Sequence, residues 1–423
     1  VRVNYNTLMN TVVINSVYWP EPVVSAQLGR DLARHLVALG NQVLVLCPSP
    51  SRPAVADYSK LKLRREALVK DEEGVCVVRL PSFTAPQSKL LARLRETYSF
   101  GRHVCGYLKN ISEEVDVIYV NSWPLLSQAL IARYCSKNKI PMVLHIQDIY
   151  PESLTNKLPS IIRFMVGGLL MRLDRWTASE ASHVITISDN MRDVYVRGRG
   201  IASKKVSKVL NWVDDTPFSR MPNRLDACRH YAVDETKLTF FYLGNIGPVA
   251  CVEFLIEAFH NAAPHNTQLV IAGDGSSKAA CVELAKKLGS SDIHFISDPN
   301  VDNSPLLLSM ANVCLLPMRK GAGMSSIPSK LMAYLFAGCP VLASVDEDCD
   351  TAACIVNGEC GWVGKPGDEH WLAEQMSEIA KLPLEHLHEI GLRGKQYGLA
   401  NFSKNQGLRA LKKIIENSAK GGC

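Results

Sequence analysis

The chain has 423 residues, 47% of them hydrophobic and 21% charged, with a formal net charge of +6. That length exceeds what one hydrophobic core usually supports, so two domains are expected, and the composition excludes a disordered or fibrous chain. The charge is too mild to imply nucleic acid, the segment Val1 to Met9 lacks the apolar core of a signal peptide, and the best apolar run, Ile161 to Met171, holds Arg163 and falls short of the roughly 18 residues that span a bilayer.

In chain order, an apolar strand beginning at Thr11 runs into the loop Tyr18-Trp19-Pro20-Glu21-Pro22, a helix-period segment from Ser25 to Leu39, a Gly40-Asn41 stop and the strand Val43 to Cys47. Strands follow at Val75 to Leu80, Val115 to Val120, Met142 to Ile146 and His183 to Ser188. Strands this apolar, separated by helices, belong to a parallel sheet covered on both faces, which makes the first half Rossmann-like. The segment Val213 to Asn223, rich in proline and polar side chains, reads as a hinge. A second series begins at Leu238 to Gly244 and continues through Gln268 to Ala272, Ile293 to Ile296, Val313 to Leu316 and Val341 to Ala343. After Gly361 the strand signal ends and helices close the chain, the last at about Asn405 to Asn417.

Thirteen cysteines are scattered without a Cys-x-x-Cys pair or metal-ligand spacing, which fits a reducing cytoplasm. Basic residues gather in the N-terminal half, in Lys60-Leu61-Lys62-Leu63-Arg64-Arg65, in Lys89 to Arg102, and at Arg163, Arg172 and Arg175. Each group reads as a solvated helix face or as a surface that meets anionic lipid.

Open α/β sheets bind ligands beyond the carboxyl ends of their strands, so the loops there hold the candidate site residues. The segment Gly323 to Ala343 joins a small-residue loop to an amphipathic helix with Lys330 in its first turn, then a Gly338-Cys339-Pro340 turn into an apolar strand. Free N–H groups at a helix start and an ammonium group together attract an anion. Gly244 and Gly247 let backbone approach a phosphate or sugar closely, or simply make a tight turn. Gly273-Asp274-Gly275 after its strand lines a nucleotide pocket or turns the chain. Asp148, at the end of the run Met142 to Ile146, is the best candidate for contact with an acceptor hydroxyl and proton management, with an Asx-turn before Pro151 as the alternative. His145 reads more readily as a strand residue than as a base. Glu21 and Ser25 sit where the first loop meets the first helix, within reach of an acceptor or a phosphate. The acidic run Asp346-Glu347-Asp348-Cys349-Asp350 reads as a solvated loop, and no metal is expected.

Several of these segments, in this order, resemble the retaining glycosyltransferases of family 4. The resemblance rests on Tyr18 to Pro22, Leu39 to Val43, Tyr98-Ser99-Phe100, His145 to Glu152, Leu210 to Asp214, Gly244-Asn245-Ile246-Gly247, Gly273-Asp274-Gly275 and the Pro328-Ser329-Lys330 helix, and spans about residues 12 to 405. The middle group looks like the subgroup that builds O-antigen, capsule and colanic-acid polysaccharides, including N-acetyl-L-fucosaminyl transferases.

The resemblance implies an α/β GT-B fold, two Rossmann-like domains facing across a cleft: an acceptor-binding domain at 1–213, a nucleotide-sugar-binding domain at 214–395, and a C-terminal helix at 396–423 returning to the first. It implies transfer of a sugar, UDP-linked and with N-acetyl-L-fucosamine as a candidate, to a lipid-linked saccharide, with retention and without a metal or other cofactor. The enzyme is then cytoplasmic, peripheral at the inner face of an anionic plasma membrane. Donor binding falls to Gly244, Asn245, Gly247, Gly273, Asp274, Gly275, Arg319, Ser325, Ser326, Ser329 and Lys330, acceptor binding to Glu21, Ser25 and His145, and catalysis to Asp148. Two features depart from the family pattern. The loop Asn245 to Cys251 carries no cation where members place a basic pair, and Ser325 and Ala333 stand where many carry two glutamates. A sugar-nucleotide epimerase of the same fold and a non-catalytic glycan-binding member are the competing readings.

Overall fold

A computed structural model describes residues 8–51, 68–71, 73–83, 90–111, 114–121, 125–152, 160–296, 303–324 and 327–421. The chain divides into two compact units, one of residues 1–211 with 407–423 and the other of residues 212–406.

The first unit is built on an eight-stranded sheet of order β3-β4-β2-β1-β5-β6-β7-β8. Its strands are β1 (Asn10–Asn15), β2 (Gln42–Pro48), β3 (Leu68–Lys70), β4 (Cys76–Leu80), β5 (Val117–Asn121), β6 (Met142–His145), β7 (His183–Thr186) and β8 (Val206–Lys208). All pairings are parallel except β3 with β4. The near-continuous Val, Ile and Leu runs of β1, β2, β5 and β6 are buried, as a sheet covered on both faces requires. β1 lies between β2 and β5, so the strand order reverses there, and Asn15 and Asn121 are in register at its carboxyl end.

The second unit carries a six-stranded parallel sheet of order β11-β10-β9-β12-β13-β14. Its strands are β9 (Leu238–Leu243), β10 (Thr267–Ala272), β11 (Ile293–Ile296), β12 (Val313–Pro317), β13 (Val341–Ser344) and β14 (Gly361–Gly364). Here the order reverses at β9, between β10 and β12. The helix Ser329–Ala337 is seated by a neighbour, Leu384–Phe402, whose glycines Gly391, Gly394 and Gly398 let it approach: a Cβ at Gly391 would lie 1.9 Å from Gly338 O, and one at Gly398 2.9 Å from Leu335 Cβ.

Three strands lie outside the sequence expectation: β3, β8 and β14. β14 begins at Gly361, where the strand signal was expected to end, because a Cβ there would fall 1.9 Å from Val341 O and only glycine lets the two strands pair. The segment Val213 to Asn223 belongs to the second unit, and its polar groups are engaged there. Asp215 Oδ1 accepts from Lys404 N at 3.1 Å, Phe218 O accepts from Lys395 Nζ at 3.4 Å, and the Phe218 ring packs on Phe336. The division between the compact units falls between Asn211 and Trp212, slightly ahead of the expected boundary, and the closing helix Lys404–Ala419 joins the first unit from Gly407 onward.

Candidate functional site

The two units each gather candidate residues at strand ends where the order reverses. In the second unit the loops after β9 and β10 interlock. Gly244 N donates to Ala272 O at 3.0 Å, Ile246 N to Asp274 O at 2.8 Å and Ser277 N to Ile246 O at 2.9 Å. The glycines make this possible. A Cβ at Gly273 would lie 2.0 Å from Gly244 O, and Gly275, at φ +153°, would put one 2.3 Å from Ile246 O. Tyr334 fastens the helix Ser329–Ala337 to the same place, its hydroxyl accepting from Leu243 N at 2.9 Å and contacting Leu243 O and Leu315 O at 3.1 and 3.3 Å.

Lys330 is carried into this frame on the first turn of that helix. Its Nζ donates to Tyr242 Oη at 2.9 Å and stands 4.4 Å from the centroid of the Tyr242 ring, while the Tyr242 hydroxyl donates to Asn245 O at 2.8 Å. A Cβ at Gly244 would lie 3.2 Å from the ammonium nitrogen, so the loop passes directly over it. Burial alone lowers the Lys330 pKa to about 8, and among the described residues no carboxylate forms an ion pair with it. A buried ammonium without a counter-charge is costly unless an anion arrives.

Gly244, Asn245, Gly247, Gly273, Asp274, Gly275 and Lys330 thus lie in the loops and helix start around the ends of β9 and β10. Asp274 is chiefly a turn residue, its Oδ1 accepting from Gly275 N at 2.7 Å with Lys278 3.9 Å from Oδ2. Arg319 is exposed after β12, its backbone N donating to Val249 O at 2.9 Å, and Ser329 is exposed at the helix start. Ser325 and Ser326 lie outside the described residues. Ala333, one turn beyond Lys330, is half-buried. Among the described residues no group of three or more His, Cys, Asp or Glu side chains is placed to hold a metal ion, and Asp346 Oδ2 accepts from Gly321 N at 2.7 Å.

In the first unit Ser25, His145 and Asp148 line one cavity of about 230 Å³ beyond β1, β5 and β6. His145 is fully buried, and desolvation takes its pKa down to about 3, so it is neutral. Gln147 Nε2 donates to its Nε2 at 2.9 Å, which leaves the proton on Nδ1 for the Tyr119 hydroxyl; Gln147 Oε1 in turn accepts from Asn211 Nδ2 at 2.9 Å. A ring held this way is an oriented dipole rather than a base. Asp148 is exposed, with Oδ1 accepting from Ile149 N at 2.8 Å. Glu21 is not among the described residues of this cavity; its two carboxylate oxygens accept from Tyr18 N at 3.2 Å and Ser51 N at 2.8 Å, which braces the first loop.

A charge cluster that shares Tyr150, Asp174 and Tyr195 with the cavity lining carried no motif in the sequence. Arg199 Nε donates to Asp174 Oδ2 at 2.8 Å, and its Nη2 donates to both Glu152 oxygens at 2.8 Å and to Tyr150 O at 2.9 Å. Tyr195 Oη donates to Asp174 Oδ1 at 3.2 Å from a single π-helical turn, Val194–Gly198, the kind of local widening that re-aims side chains at functional sites. Burial pushes Asp174 up to about 6 against the pull of Arg199. The cluster anchors the loop that follows β6 and carries Asp148. An arginine and an aspartate 25 positions apart give no spacing signal that could have paired them.

Two family models match the chain: the "Glycosyl transferase 4-like domain" over residues 27–212 and "Glycosyl transferases group 1" over residues 226–397. A curated relative of Escherichia coli (strain K12), described as "Putative colanic acid biosynthesis glycosyl transferase WcaI", is 26% identical over 343 residues, covering 78% of this chain and 82% of its own. A solved glycosyltransferase from Rickettsia africae ESF-5 has the same fold at a TM-score of 0.71, with 14% identity over 98% of this chain and all of the other. Anabaena HepE, solved in complex with UDP and glucose, matches at a TM-score of 0.65, with 15% identity over 96% of this chain and 99% of the other.

Proposed function

We propose, for a chain that belongs to the GT-B glycosyltransferases of the GT4-like, group 1 type, that it moves a sugar from UDP to a lipid-linked saccharide in bacterial surface polysaccharide synthesis. The observation that carries this reading is Lys330: a half-buried, desolvated ammonium that forms no ion pair with a carboxylate among the described residues, at a helix start and directly under the Gly244 loop. Departure of a nucleoside diphosphate concentrates negative charge on the leaving oxygen, and a preorganised cation in a water-poor site stabilises it without reorganising. Lys330 with the N–H groups of the first helical turn meets that need where the family's usual basic pair is missing from Asn245 to Cys251.

The donor therefore binds the second unit through Lys330 and the backbone of Gly244, Asn245, Gly247, Gly273, Asp274 and Gly275, with Ser325, Ser326, Ser329 and Arg319 as further diphosphate contacts. The acceptor binds the first unit at the cavity of Ser25 and His145, where Asp148 orients the attacking hydroxyl. Transfer proceeds with retention, the leaving phosphate oxygen helping Asp148 to manage the acceptor proton. The colanic-acid description of the Escherichia coli relative and the UDP bound to Anabaena HepE support the substrate classes. N-acetyl-L-fucosamine remains the proposed sugar.

Peripheral contact with an anionic membrane is assigned to the helix Ser160–Glu180. It presents Leu169, 69% exposed, and Trp176, 37% exposed, beside the exposed Arg172 and Arg175, and no helix among the described residues is long and apolar enough to cross a bilayer. The side chains of Arg163, Phe164 and Met165, and the runs 60–65 and 84–89, lie outside the described residues. Incubation with a panel of UDP-sugars and an undecaprenyl-diphosphate-linked saccharide tests the reaction. Sugar transfer to the lipid is expected, and isomerisation of the donor alone, or no turnover with any donor, would refute it.

A further inference from the structure

One residue lining the cavity in the first unit carries a buried hydrogen-bond donor without a partner among the described residues. Asn121, 5% exposed, ends β5 at the point where the strand order reverses, and its backbone oxygen is fixed by Ser16 N at 3.1 Å. Asn121 lines the cavity, and its side-chain Nδ2 is buried and among the described residues bonds to nothing. Asn15, in register on β1, has an unbonded Oδ1, but Asn15 does not line the cavity and the two amides do not bond each other. Leaving a buried amide donor unpaired costs what desolvating it costs, and such groups in native proteins are met by water or by a ligand.

The cavity lining also has a sign. Its described residues include the carboxylates Asp148 and Asp174 together with Ser, Asn, Gln and Tyr side chains, and among them there is neither lysine nor arginine. Asp174 is paired with Arg199, which is not among the described lining residues. Among the described lining residues a phosphate or a sugar acid placed here would meet carboxylates and no cation. A neutral polyhydroxyl ring would meet donors and acceptors on several sides. At about 230 Å³ the space is smaller than the roughly 300–1,000 Å³ of pockets for drug-sized ligands, which suits one sugar ring rather than an oligosaccharide.

We propose that this cavity is a subsite for one neutral sugar of the acceptor, and that Asn121 determines its specificity by donating to an uncharged oxygen, a hydroxyl or an acetamido carbonyl. The inference rests on the proposed acceptor role of the first unit. It adds that the acceptor's phosphates are held elsewhere and that a residue carrying no motif chooses the sugar. A site built to hydrogen-bond a substrate oxygen rejects analogues lacking it, because the protein group is then left unpaired.

The test uses the full chain and methyl glycosides of glucose, galactose, N-acetylglucosamine and N-acetylfucosamine as probes, read by saturation-transfer NMR, with UDP affinity measured in parallel by calorimetry. At least one neutral glycoside should bind the wild type, and Asn121→Asp, nearly isosteric but without the donor, should weaken it by ~tenfold or more with UDP affinity unchanged. Asn121→Ala replaces it if the aspartate variant does not fold. Binding of no glycoside to the wild type, equal binding to the variant, or competition of the glycoside by inorganic diphosphate would each overturn the subsite. Loss of UDP binding by the wild type would instead refute the donor reading, so the two failures are distinguishable. In turnover the same variant should raise the acceptor KM with a smaller change in kcat, a split that general loosening of the fold would not give.

Discussion

Lys330 Nζ lies 2.9 Å from the hydroxyl of Tyr242 and 4.4 Å above the centre of its ring, so the cation is held by a neutral aromatic rather than a carboxylate. Tyr242 is fully buried and desolvation holds its phenol in the neutral form, so it orients the ammonium without discharging it. The site therefore keeps its positive charge for an arriving anion.

A pH dependence follows. The protonated lysine binds a diphosphate better than the neutral amine, so UDP affinity should fall as pH rises through about 8. The stability effect has the opposite sense. Because the folded pKa is depressed below the ordinary 10.5, the unfolded chain binds more protons between the two values, and Lys330's contribution to stability rises with pH across that window. Calorimetric titration of UDP at several pH values checks the first statement. An affinity that stays flat as pH rises through about 8 would contradict it.

The glycines of the donor loops should differ sharply in tolerance. Gly273→Ala drives a Cβ to 2.0 Å from the Gly244 carbonyl, a backbone atom that cannot swing away, and should lower both Tm and UDP affinity. Gly247→Ala meets the side chain of Asn245 at 3.0 Å, which can rotate, and should fold normally. Thermal melts of the two variants read this directly, and equal melting temperatures would show that the loop packing is looser than described.

Asp148→Asn should reduce kcat by about 10²–10⁴-fold, the usual range for a group that manages a proton, and leave UDP affinity intact. Steady-state kinetics with saturating donor decides it. Full activity would leave Asp148 with its observed bond to Ile149 N and no role beyond the turn.

Arg199→Met removes the partner of the buried Asp174 and of Glu152 at one stroke. Stranding one member of a buried pair typically costs about 3–5 kcal/mol, so a large drop in denaturation midpoint is expected. Asp174→Asn in the same background should recover a share of that loss, since the uncompensated carboxylate is gone. Additive effects of the two substitutions would argue against the pairing.

The fold was legible because its strands are long apolar runs at the expected spacing, and both sheets follow from them. What escaped were short edges and glycine-bearing strands. β3 is three exposed residues, β8 is the equally short Val206–Lys208, and β14 is Gly-Trp-Val-Gly, in which the glycine that permits the pairing hides the strand. Of the candidate site, the glycines and Lys330, which the structure brings together, could be singled out because helix-start cations and glycine loops have a local grammar. Glu21 shows the limit of that grammar, since a loop carboxylate that closes its own backbone cannot be told by sequence from one aimed at a ligand. Tyr242, Tyr334 and the Arg199 cluster were invisible because their partners lie far off in sequence and only the packed sheet brings them together, and Asn121 because nothing local distinguishes the last residue of an apolar strand.

The central claim is that Lys330 grips a nucleoside diphosphate, and the comparison of UDP with UMP binding in wild type and Lys330→Ala tests it most directly. The wild type should prefer UDP. In the variant UDP affinity should fall by roughly 10- to 150-fold, matching the loss of one charge-assisted contact of about 1.5–3 kcal/mol, and the preference over UMP should shrink with it. A folded variant that binds UDP as tightly as the parent, and still prefers it to UMP, would place the diphosphate elsewhere and contradict the account.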